Sequence, residues 1–214
     1  MAAERKNRVP QTAFERILEK GSRAGILPAR ERSARRWYRE KSRRVRVAPR
    51  RIMRETRDRQ VTRLRGLSML GNMYCFFYDP KMEETLAYYD TFPLVIPIKS
   101  YADGFLGINM HYLHPRLRAR LMDALYLTVN NEEFDETTKM RRQLISYNML
   151  ESFAKYKYFR PCLKRYLTNH VRSRYLKIEP TEWDVALFLP TERFKKERRE
   201  TVWRESTENI KNAV

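Results

Sequence analysis

The positive charge of this chain is concentrated at one end. Residues 1–66 contain 22 Lys and Arg against 7 Asp and Glu, a net of +15, whereas residues 67–214 hold 23 basic and 19 acidic residues, a net of +4. A segment this cationic repels itself and has few apolar side chains to offset the entropy of ordering. The distribution therefore predicts a nearly balanced folded body, 67–203, preceded by an extended, partly helical arm, 1–66, and followed by a charged tail, 204–214. Within residues 35–51, RRWYREKSRRVRVAPRR, nine of seventeen residues are basic and Glu40 is the only acid. Arg outnumbers Lys 19 to 3 in the first 66 residues. A guanidinium is a flat fork suited to bidentate phosphate contacts and to stacking, so the bias points to a polyanionic partner.

The apolar pattern divides the chain in the same place. In QTAFERILEK (11–20), Phe14, Ile17 and Leu18 recur at helical spacing, with Thr12 as the expected cap and Glu15 three residues later. The apolar stripe around Ile52, Met53, Val61 and Leu64 is thin for autonomous folding. Beyond Gly66, MYCFFY (73–78), TLAYYD (85–90), FPLVIPI (92–98) and DGFLGINMHYL (103–113) read as strands. Pro93 and Pro97 argue against an uninterrupted central strand there. After Pro115 the period lengthens, predicting helices from Pro115, over 139–156 and from Pro161. The expected fold is α+β: a small antiparallel sheet, open or curled into a barrel, followed by three or four helices. Leu117, Leu121, Leu125, Leu144, Leu163, Leu167 and Val171 are the expected core of the helical layer.

The sequence holds no GxxxxGK[ST], GxGxxG, CxxC or HExxH motif. Cys75 and Cys162 are expected to be buried, reduced thiols, and no apolar run approaches the length of a membrane span. His111 and His114, an odd number apart, would point to opposite faces of a strand, and His170 would sit on an apolar helix face. A metal-dependent nuclease needs converging carboxylates. The candidates, Asp79 with Lys81, Glu83 and Glu84, and Glu132, Glu133, Asp135 and Glu136 with Lys139, fall in a turn and in an interhelical loop. No enzyme, cofactor, metal or small-molecule substrate is expected. The aromatic residues Tyr74, Phe76, Phe77, Tyr78, Tyr88, Tyr89 and Phe92 serve either a core or a base-stacking platform, and the lack of Lys or Arg between 73 and 80 favours a core.

MLGNMYCFFYDPKMEETLAYYDTFPLVIPI, DGFLGINMHYLHPRLRARLMDALY and EWDVALFLPTERFKK resemble a family of small virion proteins of T-even-like contractile-tailed phages and their cyanophage relatives, described as DNA end protectors. The resemblance covers roughly residues 67–203. It implies a virion protein, made in the host cytoplasm, that lies near packaged DNA and has no catalytic residues. Its partners would be the DNA backbone and other virion proteins, without a membrane. The residues expected to meet nucleic acid are Arg35, Arg36, Trp37, Tyr38, Arg39, Lys41, Arg43, Arg44, Arg46, Arg50, Arg51 and Arg54, with Arg165 and Arg172 as a secondary basic face. The alternative is a structural neck, tail or baseplate component whose arm threads between subunits onto acidic surfaces.

Overall fold

Alternation with a period of two sorts the apolar residues of the middle of the chain onto two faces of one sheet. Met73, Cys75, Leu94, Ile96 and Ile108 face one way, and Tyr74, Phe76, Val95 and Phe105 the other. The computed structural model describes residues 12–26, 32–64, 69–129 and 157–212. Among them are β1 (Gln60–Val61), β2 (Met73–Cys75), β3 (Tyr89–Asp90), β4 (Leu94–Tyr101), β5 (Gly104–Asn109), β6 (Leu163–Leu167), β7 (Tyr175–Ile178) and β8 (Phe194–Lys195). The sheet has the order β1-β7-β2-β4-β5-β6, every pair antiparallel, while β3 and β8 form a separate two-stranded ladder. It is open rather than closed into a barrel, with β1 and β6 at its edges.

The β4–β5 hairpin turns through Ala102 and Asp103 into Gly104, where a Cβ would stand 1.9 Å from the Tyr166 carbonyl oxygen of β6. Only glycine permits that approach. Pro97 lies inside a central strand, β4, and interrupts its pairing, in keeping with the sequence expectation. The ladder shifts register between Pro97 and Lys99, and the Pro97 carbonyl accepts from Gly71 N at 3.0 Å. A bulge at this point accommodates the missing N–H.

Six α-helices lie among the described residues: α1 (Ala13–Arg23), α2 (Arg32–Arg44), α3 (Pro49–Glu55), α4 (Pro115–Val129), α5 (Trp183–Phe188) and α6 (Arg199–Lys211). Thr12 and Glu15 close the expected capping box on α1, each side chain 3.1 Å from the other's backbone N–H. All six residues of α5 are buried, and α2 lies along it. The segment expected to be an arm is, over its described residues, part of the body. Phe14, Ile17, Tyr38, Val47, Ile52 and Met53 join the main core with Leu94, Ile96, Leu121, Val185 and Leu187, and β1 extends the sheet beside β7. Its apolar stripe is thin on any one helix, but three helices share it. The body in turn supplies Asp123, Asp184 and Glu182 as partners for the segment's arginines.

Two other expectations meet a different structure. The helix expected from Pro161 is a 3-10 turn, Lys157–Cys162, running into strand β6. Apolar residues at 163, 166 and 167 fit either period, and pairing with β5 decides. Residues 204–211 of the expected tail belong to α6, whose Val202 and Ser206 are buried. The expected helix over 139–156 lies outside the described residues. Of the helical-layer core, Leu121 is buried, Leu117 and Leu163 pack partly buried against the main core, and Val171 packs against the aromatic cluster. Leu167 is half-buried, while Leu144 and the side chain of Leu125 lie outside the described residues.

Candidate nucleic-acid interface

Helix α2 divides its charge between two sides. On the inner side, Arg39 donates from Nε to Asp184 Oδ1 at 2.6 Å and from Nη2 and Nη1 to the two carboxylate oxygens of Asp123 at 2.7 and 3.3 Å. Arg35 Nε reaches Asp123 Oδ1 at 3.2 Å. Burial works against both the guanidinium and the carboxylate, yet their mutual bonds win: Arg39 is held above its ordinary pKa and Asp123 below its own. Tyr38 is buried, donates to the Ile26 carbonyl at 2.8 Å, and lies so close over Gly21 that a Cβ there would sit 1.9 Å from its hydroxyl. Trp37 is half-buried and meets Tyr38 edge-on, with ring centroids 5.0 Å apart. Arg35, Tyr38 and Arg39, expected to meet nucleic acid, are therefore spent on fixing α2 to the body, and Trp37 packs partly beside them.

The outer side is different. Arg36, Lys41, Arg43 and Arg44 of α2, Arg46 of the connection, and Arg50, Arg51 and Arg54 of α3 are exposed. Arg51 pairs with Glu55 at 2.6 Å, whereas Arg36, Arg44, Arg46, Arg50 and Arg54 form no ion pair with another described residue. Lys41 Nζ stands 5.5 Å from the Trp37 ring. The secondary face is weaker: Arg165 bonds Asp103 and lies 4.1 Å from the Tyr101 ring, and Arg172 pairs with Asp79 at 3.1 Å.

The remaining candidates fall into structural roles. Tyr74, Phe76, Tyr78, Phe105, Tyr166 and Tyr175 form a buried aromatic cluster on one side of the sheet, with Phe76 edge-on to Tyr78, Phe105, Tyr166 and Tyr175 and Phe105 stacked on Tyr166, and burial raises the phenol pKa of each tyrosine among them. Glu83 accepts from the Tyr89 hydroxyl at 2.7 Å, and the backbone carbonyls of Glu83, Glu84 and Leu86 wrap Lys196 Nζ. The acidic run 132–136 lies outside the described residues. Among the described residues no group of His, Cys, Asp and Glu could hold a metal ion, and no helix is long and apolar enough to cross a membrane. Cys75 and Cys162 are buried and free of a disulfide. His111 is fully buried against Asp90, while His170 is half-buried with Nδ1 2.9 Å from the Asp79 carbonyl.

A family model described as Phage T4 terminal DNA protecting protein matches residues 27–207. The chain belongs to that family. It is a bacteriophage protein whose family takes its name from protecting DNA ends, and the matched region begins ahead of α2, so both arginine-rich helices lie within it. No curated protein and no solved structure gives a significant match.

One basic cluster escaped the sequence reading. Arg43 of α2 meets Arg116 and Arg118 of α4 and Arg199 of α6 around a cavity of about 330 Å³ walled by His114, Phe188, Glu192 and Trp203. The four arginines are spread over more than 150 residues, so no window of sequence joins them. The available signal was Trp203, a lone large aromatic in a charged run.

Proposed function

We propose that this protein is a non-enzymatic virion component that binds the ends of packaged DNA through the outer face of α2 and α3, without sequence specificity. The observation that carries the reading is the division of α2. Its inner arginines are locked to Asp123 and Asp184, so Arg36, Arg44, Arg46, Arg50 and Arg54 are displayed on a fixed surface with no ion-pair partner among the described residues. Fixed guanidiniums suit phosphates, and phosphate contacts position a protein on DNA without reading its sequence. The remaining virion proteins are the natural second class of partner.

A superficially catalytic arrangement supports binding over chemistry. Asp90, His111 and Thr191 are in contact, but the three are buried, and Thr191 Oγ1 lies 3.4 Å from His111 Nε2. A nucleophile sealed from solvent has no access to a substrate.

The test is binding to linear and covalently closed DNA of one sequence across a salt series. If about eight basic groups meet phosphates, log K falls with log salt at a slope of about −7. Substituting Arg44, Arg46, Arg50 and Arg54 with Gln lowers the slope by about 3–4. Tighter binding to the linear form supports end protection. Salt-independent or absent binding overturns the reading.

A further inference from the structure

The cavity between α2, α4, α5 and α6 has a chemistry of its own. Its polar wall is four guanidiniums, one carboxylate and the His114 imidazole. Glu192 Oε1 accepts from Arg118 Nη1 at 2.8 Å, and Oε2 lies 3.8 Å from Arg199 Nη1 without a hydrogen bond. Arg118 is itself buried and further engaged, donating to the carbonyls of Leu113, Leu187 and His111. Arg43, Arg116 and Arg199 remain exposed at the rim, with Arg199 Nε also touching exposed Glu200 at 2.8 Å.

Three of the four arginines lie against aromatic rings. The guanidinium of Arg43 lies 4.8 Å from the centroid of Phe188, and those of Arg118 and Arg199 lie 5.3 and 5.5 Å from the centroid of Trp203. Trp203 is fixed in turn by its Nε1–H, which donates to the His111 carbonyl at 2.7 Å. Aromatic faces thus hold guanidiniums in place before any ligand arrives, which lowers the entropy lost on binding.

We propose that this cavity receives the terminal phosphate monoester of a DNA strand. A terminal monoester carries close to two negative charges near neutral pH, against one for an internal diester, and so fits a site with several guanidiniums in excess. At about 330 Å³ the cavity lies at the small end of ligand sites, large enough for one nucleotide and too small for a duplex. Arg43 links it to the arginine face of α2, so a duplex lying on that face can end at the cavity. The inference rests on the DNA-end reading and gives it a recognition element that internal phosphates cannot use.

His114 supplies an independent readout. Burial, with Arg116, Arg118 and Arg43 nearby, holds its pKa below the ordinary value. A phosphate entering the cavity offsets those charges and raises it. Duplexes of one sequence with phosphorylated or hydroxyl 5′ ends are titrated with the full chain and with an Arg116→Gln/Arg199→Gln double variant, together with a closed circle. The native chain is expected to prefer phosphorylated ends by about tenfold. The double variant should lose that preference while its affinity for the circle changes by less than about threefold. A deoxynucleoside 5′-monophosphate, added without DNA, should shift the His114 ring resonances and raise its pKa in the native chain but not in the variant. Equal affinity for both end types, a preference that survives the double variant, or a mononucleotide that leaves His114 unmoved each overturns the inference. Salt-dependent binding to linear DNA without phosphate preference sinks only the cavity. Mononucleotide binding without duplex binding sinks only the DNA-end reading.

Discussion

His111 Nδ1–H lies 2.7 Å from Asp90 Oδ2, and both side chains are sealed from solvent. Asp90 Oδ1 also accepts from Phe92 N and Arg193 N at 3.1 and 3.2 Å, and Asn109 donates to Oδ2 at 3.3 Å. The pair therefore ties β3 to the turn after β5 and to the strand entering β8. Removing one partner of such a pair leaves the other buried without compensation, so Asp90→Ala should cost about 3–5 kcal/mol. Thermal unfolding is the measurement, with the melting temperature expected to fall by about 10 °C. A loss under 2 °C would show that the network does not hold these elements.

The same carboxylate makes stability depend on acid. Burial alone would raise the pKa of Asp90, but His111, Phe92 N–H and Asn109 outweigh it and hold it low. Asp123 facing Arg39 and Glu192 facing Arg118 are also lowered. A carboxyl group with a depressed folded pKa contributes stability that is fully present above its unfolded pKa, about 4, and is lost as pH falls through the folded value. Melting temperature should thus hold steady from neutrality to about pH 5 and drop below pH 4. Asp90→Asn should flatten that drop, and a profile unchanged by the substitution would remove Asp90 from the account.

Much of the sheet was legible, because Tyr74, Phe76 and Phe105 alternate with Met73, Cys75 and Leu106 in a pattern that only a two-sided sheet satisfies. Helix α1 was legible from Thr12 and Glu15. Residues 163–167 were not, because their apolar spacing suits either period and the choice is made by the free edge of β5. The fate of the arginines was half legible. Local charge density marks where cations are, but Asp123 and Asp184, which turn Arg35 and Arg39 inward, lie 84 and more residues away from Arg39. The cavity around Trp203 is harder still, since its arginines meet only through the packing of α2, α4 and α6.

The two-sided helix separates structural from binding arginines. Arg39→Ala removes the guanidinium that joins α2 to both Asp123 and Asp184 and should destabilise the fold by about 3 kcal/mol. It should leave the salt slope for DNA unchanged, whereas Arg46→Gln should leave the melting temperature unchanged and lower the slope by about 1. Paired melting and salt-titration curves on the two variants check this, and an Arg39 variant that melts normally would contradict the inner clamp.

Neither thiol should react in the folded protein. Burial raises the pKa of both Cys75 and Cys162, that of Cys162 to about 12, so almost no thiolate exists near neutral pH. A thiol-specific chromogenic reagent at pH 8 should modify fewer than about one in ten thiols in native buffer and both per chain in denaturant. Rapid modification under native conditions would mean that the core around β2 and the 157–162 turn opens readily.

The N-terminal helices offer the strongest test of the architecture. A chain beginning at residue 67 loses Phe14, Ile17, Tyr38, Ile52 and Met53 from the main core and β1 from the edge of β7. It also strips Asp184 and Glu182 of Arg39 and Arg59, leaving two nearly buried carboxylates facing the gap. Each large apolar side chain contributes about 1.5–3 kcal/mol when buried, so these five together contribute about 8–15 kcal/mol, comparable to the roughly 5–15 kcal/mol that holds a typical domain together. The truncated chain should give a poorly dispersed amide spectrum and no cooperative melting transition, while the full chain gives both. A truncate that melts cooperatively would mean that the arginine-rich helices rest on a body already complete without them, and the fixed display of Arg36, Arg44 and Arg46 would lose its structural basis.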